Sequence, residues 1–385
     1  MKKPVYGLKD SALNWFKTVE HDLLELNCTQ SVLDPAFFSF YSHDKILIGM
    51  LVSHVDDFLY SGTKKFHETV IQTVKEKYSI SSQNDGSFEY VGIYIDQNED
   101  RIRIDQNSFV DKIKPINLTA DALKDNNRNL NEDEKKMYQQ LLGKINWICH
   151  QSRPDLSFEA YCASLHSQAP TVQNLKKLNK VVGRLKDGLK HIQYPKLDEE
   201  SLHIRCFSDA SFANLPDKVS SGEGFVVFLT DQYGQASLLN WKSKKATRVV
   251  HSTLAAECLS LVDCHGDASY IRNIMEEIMF QNAKSKKIPI TIYTDSIQLR
   301  KALYSNHLVT EKLLRITIAE MKQIVQDKTE KVCVRWVKSA NMLSDSLTKN
   351  GASTQKLCQV LEESYMDIEE LEKDENEKIG LPQNV

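Results

Sequence analysis

Four acidic residues in the second half of the chain have the context of a metal-dependent phosphodiester site. Asp209 follows the strand pattern LHIRCFS, Asp295 ends the pattern IPITIYT, Glu257 begins a long predicted helix, and Asp345 lies in NMLSDSLTK. Acids at strand ends and helix starts can converge on one edge of a mixed sheet. Such a carboxylate cluster suits two divalent ions ~3.5–4 Å apart, one activating water and the other holding the leaving oxygen.

A second candidate is the pair Asp56 and Asp57, in the segment SHVDD between two apolar runs. Adjacent carboxylates at the turn of a buried hairpin repel each other and are costly to desolvate, so the pair favours a divalent cation. Asp is also a favoured turn residue, and a plain solvated turn explains the same pattern. Both interpretations stay open at this point.

A third candidate is a row of cations on a predicted helix, formed by Lys176, Lys180 and Arg184 at four-residue spacing. The other face of this helix carries an apolar stripe at alternating three- and four-residue steps, made of Leu175, Leu178, Val182, Leu185 and Leu189. The row of positive charge could follow a phosphate backbone. A solvated helix face accounts for it equally well.

The composition is that of a globular protein. The chain has 385 residues, 49 Lys and Arg against 52 Asp and Glu, a net charge of -3, and a 41% hydrophobic fraction, which exclude disordered and collagen-like classes and suggest two or three domains. The eight cysteines include no C-x-x-C pair, which favours a reduced compartment without disulfides or a zinc site. Neither a membrane-spanning segment nor a signal peptide is expected, and no nucleotide-binding glycine motif is present.

The order of predicted elements indicates an α+β region followed by helices and then an α/β region. A hairpin around residues 36–63 precedes a helix over Lys64–Tyr78 and short strands over Phe88–Ile95 and Arg101–Asp105. Helices fill residues 134–192, and Pro195 marks a boundary. The remainder has the predicted order βββαβααβα, with a helix over Ser339–Lys349, and ends in an acidic stretch predicted to be a solvated tail.

Several segments, in collinear order, resemble the polyprotein of copia-type long-terminal-repeat retrotransposons. They extend from about Lys3 to Leu361 and read VYGLKDSALNW, SHVDDFLYSGT, FEYVGIYI, LLGKINWICHQSRPDLSF, SDASFANL, WKSKK, HSTLAAECLSL, YTDSIQL and SDSLTK. Each motif is weak alone, whereas nine in the same order are specific.

The resemblance implies a fold class and a set of domains. It implies an α+β remainder of a reverse-transcriptase palm and thumb (residues 1–123), a helical connection (124–195), an α/β ribonuclease H-like domain with a mixed five-stranded sheet and flanking helices (196–365), and an acidic disordered tail (366–385). It also implies that Asp209, Glu257, Asp295 and Asp345 form the ribonuclease H site with two Mg²⁺ ions. Asp209 would bridge both ions, Glu257 and Asp295 would complete one site, and Asp345 the other.

The resemblance also implies roles in the first half of the chain. Asp56 and Asp57 match the paired metal-binding aspartates of the polymerase, and Tyr90 lies in the hairpin that grips the primer end. Lys9 would contact nucleic acid, as would the row formed by Lys176, Lys180 and Arg184. Recognition of a hybrid duplex by backbone and groove shape, with 2′-hydroxyls identifying the RNA strand, would be largely independent of sequence.

Three departures from the family limit these expectations. The family places a third polymerase aspartate upstream of the YGLK motif, so we expect no polymerase activity from this chain alone. Ala12 and Leu13 replace the usual Pro-Arg, and the last histidine, His307, lies 38 residues before Asp345, too far to assist in the usual way.

The leading hypothesis is therefore a truncated reverse transcriptase and ribonuclease H whose intact chemistry is Mg²⁺-dependent hydrolysis of RNA in RNA/DNA hybrids. The alternative is a catalytically inactive transposon remnant that binds nucleic acid or a partner. An upstream polymerase polypeptide is a possible partner. The family implies work in cytoplasmic virus-like particles and the nucleus, and no membrane association.

Overall fold

The structure is a computed structural model that describes residues 10–80, 82–215, 217–280, 287–305 and 309–379. The described residues form two compact units. The first contains those of Met1–Asp85 and Tyr270–Lys287, and the second those of Gly86–Ser269 and Ile288–Val385. This division differs from the domains implied by the resemblance, with boundaries after residues 123, 195 and 365, and those domains stay a prediction.

The first unit contains an antiparallel sheet with the strand order β1-β2-β3-β4 and flanking helices. Its elements are α1 (Ser11–Glu25), β1 (Thr29–Gln30), β2 (Phe37–Tyr41), β3 (Leu47–His54), β4 (Asp57–Gly62), α2 (Lys64–Phe66), a π-helical turn (His67–Ile71) and α3 (Gln72–Tyr78). The predicted hairpin and the helical segment up to Tyr78 are confirmed. Phe66 is fully buried against the paired Gly49 and Gly62, where a Cβ at either glycine would overlap its ring.

The second unit begins with a small antiparallel sheet and a group of helices. The elements are β5 (Ser87–Tyr90), β6 (Ile93–Gln97), β7 (Arg101–Asp105), α4 (Asn107–Asp111), α5 (Glu132–Gln151), α6 (Ser157–Ser164), α7 (Val172–Asp187) and β8 (Ile192–Pro195). The sheet has the order β5-β6-β7-β8. Helix α7 begins with a capping box between Thr171 and Asn174, and four of the five residues of its predicted apolar stripe are buried in the helical core. The fifth, Leu189, lies beyond the end of α7 and packs in the core of the five-stranded sheet.

The remainder of the second unit is built on a mixed five-stranded sheet. Its elements are β9 (His203–Ser211), β10 (Gly222–Thr230), β11 (Ala236–Lys245), α8 (Thr253–Phe280), β12 (Ile290–Thr294), α9 (Ile297–Tyr304), α10 (Lys312–Gln326), β13 (Val332–Trp336), α11 (Gln355–Glu363) and α12 (Ile368–Ile379). The strand order is β11-β10-β9-β12-β13. Strands β9, β10 and β11 are antiparallel, whereas β12 runs parallel to both β9 and β13. The predicted mixed sheet with flanking helices is therefore confirmed.

Helix α8 contributes to both units. Its residues up to Ser269 belong to the second unit, and its residues from Tyr270 belong to the first. Within the first unit, Glu277 accepts hydrogen bonds from the Ser31 hydroxyl and the Val32 amide, each at 2.7 Å. These bonds hold the end of α8 against the loop before β2.

The predicted helix over Ser339–Lys349 is wrong. This segment forms two short 3₁₀ turns, Ser339–Asn341 and Asp345–Leu347. Tertiary contacts override its helical pattern, because the buried Asn341 side chain donates to Asp374 at 2.6 Å. Residues 342–344 connect the two turns, with Met342 in an extended conformation and Ser344 in the right-handed helical region.

The prediction that residues 366–385 form a disordered acidic tail is wrong for Ile368–Ile379, which is helix α12. Two of its acids are buried and have basic or backbone partners. Glu375 accepts from Arg300 at 2.8 Å and from the Trp336 amide, and Asp374 accepts from the Lys338 amide at 3.0 Å. Ion pairing and hydrogen bonding offset the desolvation of these carboxylates. Residues 380–385 lie outside the described part of the chain.

The eight cysteines are free thiols. Among the helices that the structure describes, none is long and apolar enough to cross a membrane.

The environment of His203 predicts a pH dependence of stability. His203 starts β9, with its Nε2 atom 2.8 Å from Thr291 Oγ1. Burial, with help from the Arg205 and Arg335 charges, lowers the pKa of His203 to about 3. As the pH falls, His203 is protonated in the unfolded chain before it is protonated in the folded protein. The stability that neutral His203 contributes above pH ~6.5 is therefore lost as the pH falls toward ~3, and the free energy of unfolding decreases by up to about 1.4 kcal/mol per pH unit.

We expect His203→Asn to remove this slope, as measured by urea unfolding at pH 7 and pH 4.5. His43→Asn, at an exposed position between β2 and β3, is the matched control and should keep the wild-type slope. An identical pH dependence in the wild type and in His203→Asn would contradict the prediction.

Candidate active site

Asp209 and Asp295 are neighbours because their strands are parallel and in register. In β9 and β12, Phe207 pairs with Tyr293, so continuing the register by two residues sets Asp295 beside Asp209. Neighbouring strands are ~4.8 Å apart, and residues in register point to the same face. Asp209 is fully buried, whereas Asp295 is half-buried and accepts a hydrogen bond from the Ser339 hydroxyl at 2.8 Å.

Glu257 is brought to the same place by helix α8. One turn further along this helix, Ser260 donates to the Asp209 carbonyl oxygen at 2.8 Å and accepts from the Ser208 hydroxyl at 3.0 Å. Residues three apart share a helix face, so Glu257 faces the same strand. Its side chain is buried, and its Oε2 atom has no hydrogen-bond partner among the described residues.

Asp345 approaches the sheet because a glycine leaves room for its turn. Gly224 pairs with Asp209 across β9 and β10. A Cβ at Gly224 would lie 2.7 Å from Thr348 Cγ2 and 2.8 Å from Leu347 Cβ. The space above Gly224 therefore admits the Asp345–Leu347 turn, and the Thr348 hydroxyl donates to Asp209 Oδ2.

Lys349 joins two of the acids. Its Nζ atom lies 2.8 Å from Asp345 Oδ1 and 3.2 Å from Asp209 Oδ1. Asp345 and Lys349 are four residues apart, and the Lys349 amide donates to the Asp345 carbonyl oxygen at 3.0 Å. One helical turn thus holds the ammonium group beside its carboxylate partners.

The electrostatics of the cluster are dominated by burial and by like charges. Burial raises the pKa of Asp209 to about 6; Lys349 and the Thr348 hydrogen bond oppose this shift, and Asp345 and Asp295 add to it. The pKa of Glu257 is raised well above its usual value by burial, and then by the Asp209 and Asp295 charges. Perturbed carboxyl groups of this kind are typical of functional sites.

The donor set fits a hard divalent cation. Ligand oxygens of Asp209, Asp295 and Asp345 all lie within 4.8 Å of one another. The buried Glu257 Oε2 atom is a further oxygen that lacks a partner in the described part of the chain. Carboxylate oxygens are the ligands that Mg²⁺ takes in proteins.

Asp56 and Asp57 lie at the turn between β3 and β4, and both side chains are exposed. The desolvation argument for a metal at this turn is therefore wrong, because solvent covers both carboxylates. The turn is nevertheless unusual. Val55 has a φ of 56°, rare for a β-branched residue, and its carbonyl oxygen accepts a hydrogen bond from Trp15 Nε1.

The residues predicted to contact nucleic acid have different surroundings. Lys9 lies outside the described residues, and Tyr90 is half-buried at the end of β5. Lys176 donates to the Leu123 carbonyl oxygen at 3.0 Å, and Arg184 pairs with Glu159. Lys180 is exposed. Two of the three cations in the predicted row thus contact other residues of the same chain. A role of the row in nucleic-acid binding stays a prediction.

Sequence reasoning missed the residues that support the carboxylates: Gly224, Ser260, Ser339, Thr348 and Lys349. Only Lys349 had a local signal, its four-residue spacing from Asp345. The others act across the fold through contacts that spacing along the chain does not encode.

Comparison with known proteins gives matches over both halves of the chain. A family model described as reverse transcriptase (RNA-dependent DNA polymerase) matches residues 1–127. The retrovirus-related Pol polyproteins from transposons RE1 and RE2 of Arabidopsis thaliana are each 23% identical over 362 residues, covering 91% of this chain and 24% of their own length. The Ty1-ER2 Gag-Pol polyprotein of Saccharomyces cerevisiae is 23% identical and covers 80% of the chain. The chain thus spans about a quarter of the length of the Arabidopsis relatives.

Solved structures give more distant matches. LC11-RNase H1 in complex with an RNA/DNA hybrid is 17% identical, with a TM-score of 0.29, and covers 40% of this chain and 99% of its own. The prototype foamy virus protease-reverse transcriptase is 10% identical, with a TM-score of 0.24, and covers 94% of this chain and 62% of its own.

A mixed sheet of order β11-β10-β9-β12-β13, with Asp209 on its central strand β9 and Asp295 directly after β12, is the architecture that the resemblance implied for the second half of the chain. The N-terminal match adds reverse-transcriptase sequence to the same chain. The chain is therefore similar over most of its length to Pol polyproteins of retrotransposons, in agreement with the resemblance that its motifs indicated.

The packing at Gly224 predicts that even a methyl group is harmful there. Gly224→Ala would push Leu347 and Thr348 away from the sheet, and overpacking of this kind costs about 1–3 kcal/mol of unfolding free energy. Gly143→Ala is the matched control, because a Cβ on this residue of α5 would meet nothing within 4 Å. This control should be neutral or stabilising, since alanine favours a helix. Urea unfolding of both variants checks the prediction, and equal stability of the two would refute it.

Proposed function

We propose that the second half of the chain is a Mg²⁺-dependent nuclease that hydrolyses the RNA strand of RNA/DNA hybrids. The observation that carries the proposal is the convergence of Asp209, Asp295 and Asp345 within 4.8 Å, beside the buried Glu257. Clustering like charges in a buried place is unfavourable for folding alone. A site that binds cations gives a reason for such a cluster.

Each acid would have a defined task in this proposal. Asp209, on the central strand, would be shared by two cation sites, one completed by Glu257 and Asp295 and the other by Asp345. The Ser339 hydroxyl orients Asp295, and the Thr348 hydroxyl orients Asp209. Mg²⁺ held by these oxygens supplies activation of water and neutralisation of the leaving oxygen.

The proposed substrate class rests on the sequence that precedes this site in the same chain. The N-terminal residues match a family described as RNA-dependent DNA polymerases. Copying RNA into DNA leaves an RNA/DNA hybrid as the immediate product, which a nuclease on the same polypeptide would meet. Lys180, exposed on α7, is proposed as a contact to the duplex backbone.

The first half of the chain would contribute Asp56 and Asp57 to a polymerase site. They belong to no group of three metal-binding side chains in the described ranges. Nucleotide addition by these residues alone is therefore not part of the proposal. The exposed, strained turn that carries them agrees with a functional role, because unusual backbone conformations cluster at functional sites.

The test is cleavage of a hybrid labelled on either strand, with and without Mg²⁺. We expect metal-dependent cutting of the RNA strand only. Asp209→Asn should lower the rate about a thousandfold, because loss of a cation ligand removes several kcal/mol of transition-state stabilisation. The thermal midpoint of this variant in EDTA should equal or exceed that of the wild type, because a neutral carboxamide relieves repulsion within the cluster.

The matched control is Asp267→Asn, ten residues further along α8 than Glu257 and therefore about 15 Å away along the helix. Asp267 pairs with Lys242, so its loss should leave the cleavage rate unchanged. Undiminished cleavage by Asp209→Asn would reject the assignment of the site. Absence of cleavage by a folded wild-type protein that still binds the hybrid would favour the alternative, a nucleic-acid-binding module.

A further inference from the structure

Lys349 occupies the position that a cation shared by Asp209 and Asp345 would take. Its ammonium group bridges Asp209 Oδ1 and Asp345 Oδ1, at 3.2 and 2.8 Å. Both residues belong to the group of carboxylates whose oxygens converge. One positive charge of the protein therefore already satisfies two of the oxygens that would hold a divalent ion.

The backbone of Lys349 is held in place, whereas its side chain can move. The backbone at Lys349 is held by the Thr348 hydroxyl bond to Asp209 and by the Lys349 amide bond to Asp345. The Lys349 side chain is 39% exposed, and a lysine stem with several rotatable bonds can release its ammonium group to solvent. The group can therefore leave without unfolding of the turn.

The Lys349 ammonium group and a Mg²⁺ ion compete for the space between these two oxygens. Mg²⁺ takes its ligands at about 2.0–2.1 Å, so an ion bound by both Oδ1 atoms would lie where the ammonium group bridges them. The two cations would also repel each other. Occupation of the Asp209 and Asp345 pair by one of them therefore excludes the other.

We propose that Lys349 is a tethered competitor for the divalent cation at the Asp209 and Asp345 pair, so that metal binds there only when the ammonium group withdraws. This inference rests on the proposed function. In the absence of metal, Lys349 stabilises the assembled carboxylates. In its presence, Lys349 sets how much metal the pair needs. Lys349 is thus a positioning residue that controls metal loading.

The competition affects one of the two proposed cation sites more than the other. Lys349 donates to Asp209 and Asp345, whereas Ser339 is the side chain that donates to Asp295. Within the described part of the chain, the Lys349 ammonium group donates no hydrogen bond to Asp209 Oδ2, Glu257 or Asp295, so these oxygens stay available to a cation at the other site. We therefore expect two classes of metal binding, of which the weaker belongs to the pair that Lys349 bridges.

The test is a titration of the full chain with Mn²⁺, followed by the electron paramagnetic resonance signal of free Mn²⁺, without nucleic acid. Lys349→Met removes the ammonium group, and Lys349→Gln does so while keeping a hydrogen-bonding side chain. Both should bind the weaker Mn²⁺ about tenfold more tightly, as expected if the ammonium group occupies the pair nine-tenths of the time.

The matched control is Lys328→Met, at an exposed lysine just before β13. Strand β13 separates this residue from the site end of the sheet by about 16 Å, given ~3.3 Å per residue. Its Mn²⁺ binding should equal that of the wild type. Thermal unfolding of each variant verifies that it is folded.

The outcomes separate this inference from the proposed function. If Asp209→Asn weakens Mn²⁺ binding but both Lys349 variants bind no more tightly than the wild type, the metal site stands and the competition is rejected. A purely structural lysine would give that result, because its loss would loosen the site. If neither the wild type nor the Lys349 variants bind Mn²⁺, the carboxylates hold no metal, and both proposals are overturned.

Discussion

The burial of a carboxylate on the central strand of a sheet, among other carboxylates, is the constraint on which the second unit depends. Asp209 is fully buried, and burial and like charges oppose its ionisation. The fold offsets this cost with a threonine hydroxyl and a lysine ammonium group, both from the short turn after β13. Removal of either partner would leave the buried Asp209 carboxylate with only the other to stabilise it. The turn and the strand are therefore energetically coupled, although they are 139 residues apart in sequence.

The geometry of the turn explains why residues 339–349 are not a regular helix. Asp345 and Lys349 must reach Asp209 above the vacant side of Gly224. A continuous helix would give the buried Asn341 side chain different neighbours. In the observed conformation, this side chain donates a hydrogen bond to Asp374. Two short 3₁₀ turns, with the chain redirected between them at Met342, satisfy both requirements. Local helix propensity yields here to a polar network that closes the site.

Much of the architecture could be predicted from the sequence, because its elements have strong apolar patterns. Helix α7 buries an apolar stripe at helical spacing, and β10, which is buried at every position, contains the continuous apolar run FVVFL. The closeness of Asp209 and Asp295 could be expected because strand ends share an edge, whereas the choice of the four acids among the many in the chain depended on the resemblance. Helix α12 was not predictable, because its acids have an unfavourable composition for a core and their partners Arg300 and Lys338 lie far away in sequence. The support of Asp209 by Gly224 and Thr348 was not predictable either, because the sequence does not show which residues pack against a glycine.

Helix α12 also determines what the outer edge of the sheet can do. Strand β13 is a terminal strand, and an uncovered terminal strand invites pairing with another chain. Its Val334 amide donates to the Tyr304 hydroxyl at 3.0 Å, and its Trp336 amide donates to Glu375. Two main-chain donors at alternate positions are thus occupied by side chains of the same molecule. Tyr304 of α9 and Glu375 of the acidic helix α12 therefore occupy donors that another strand would need at this edge, which opposes pairing of β13 with a second chain.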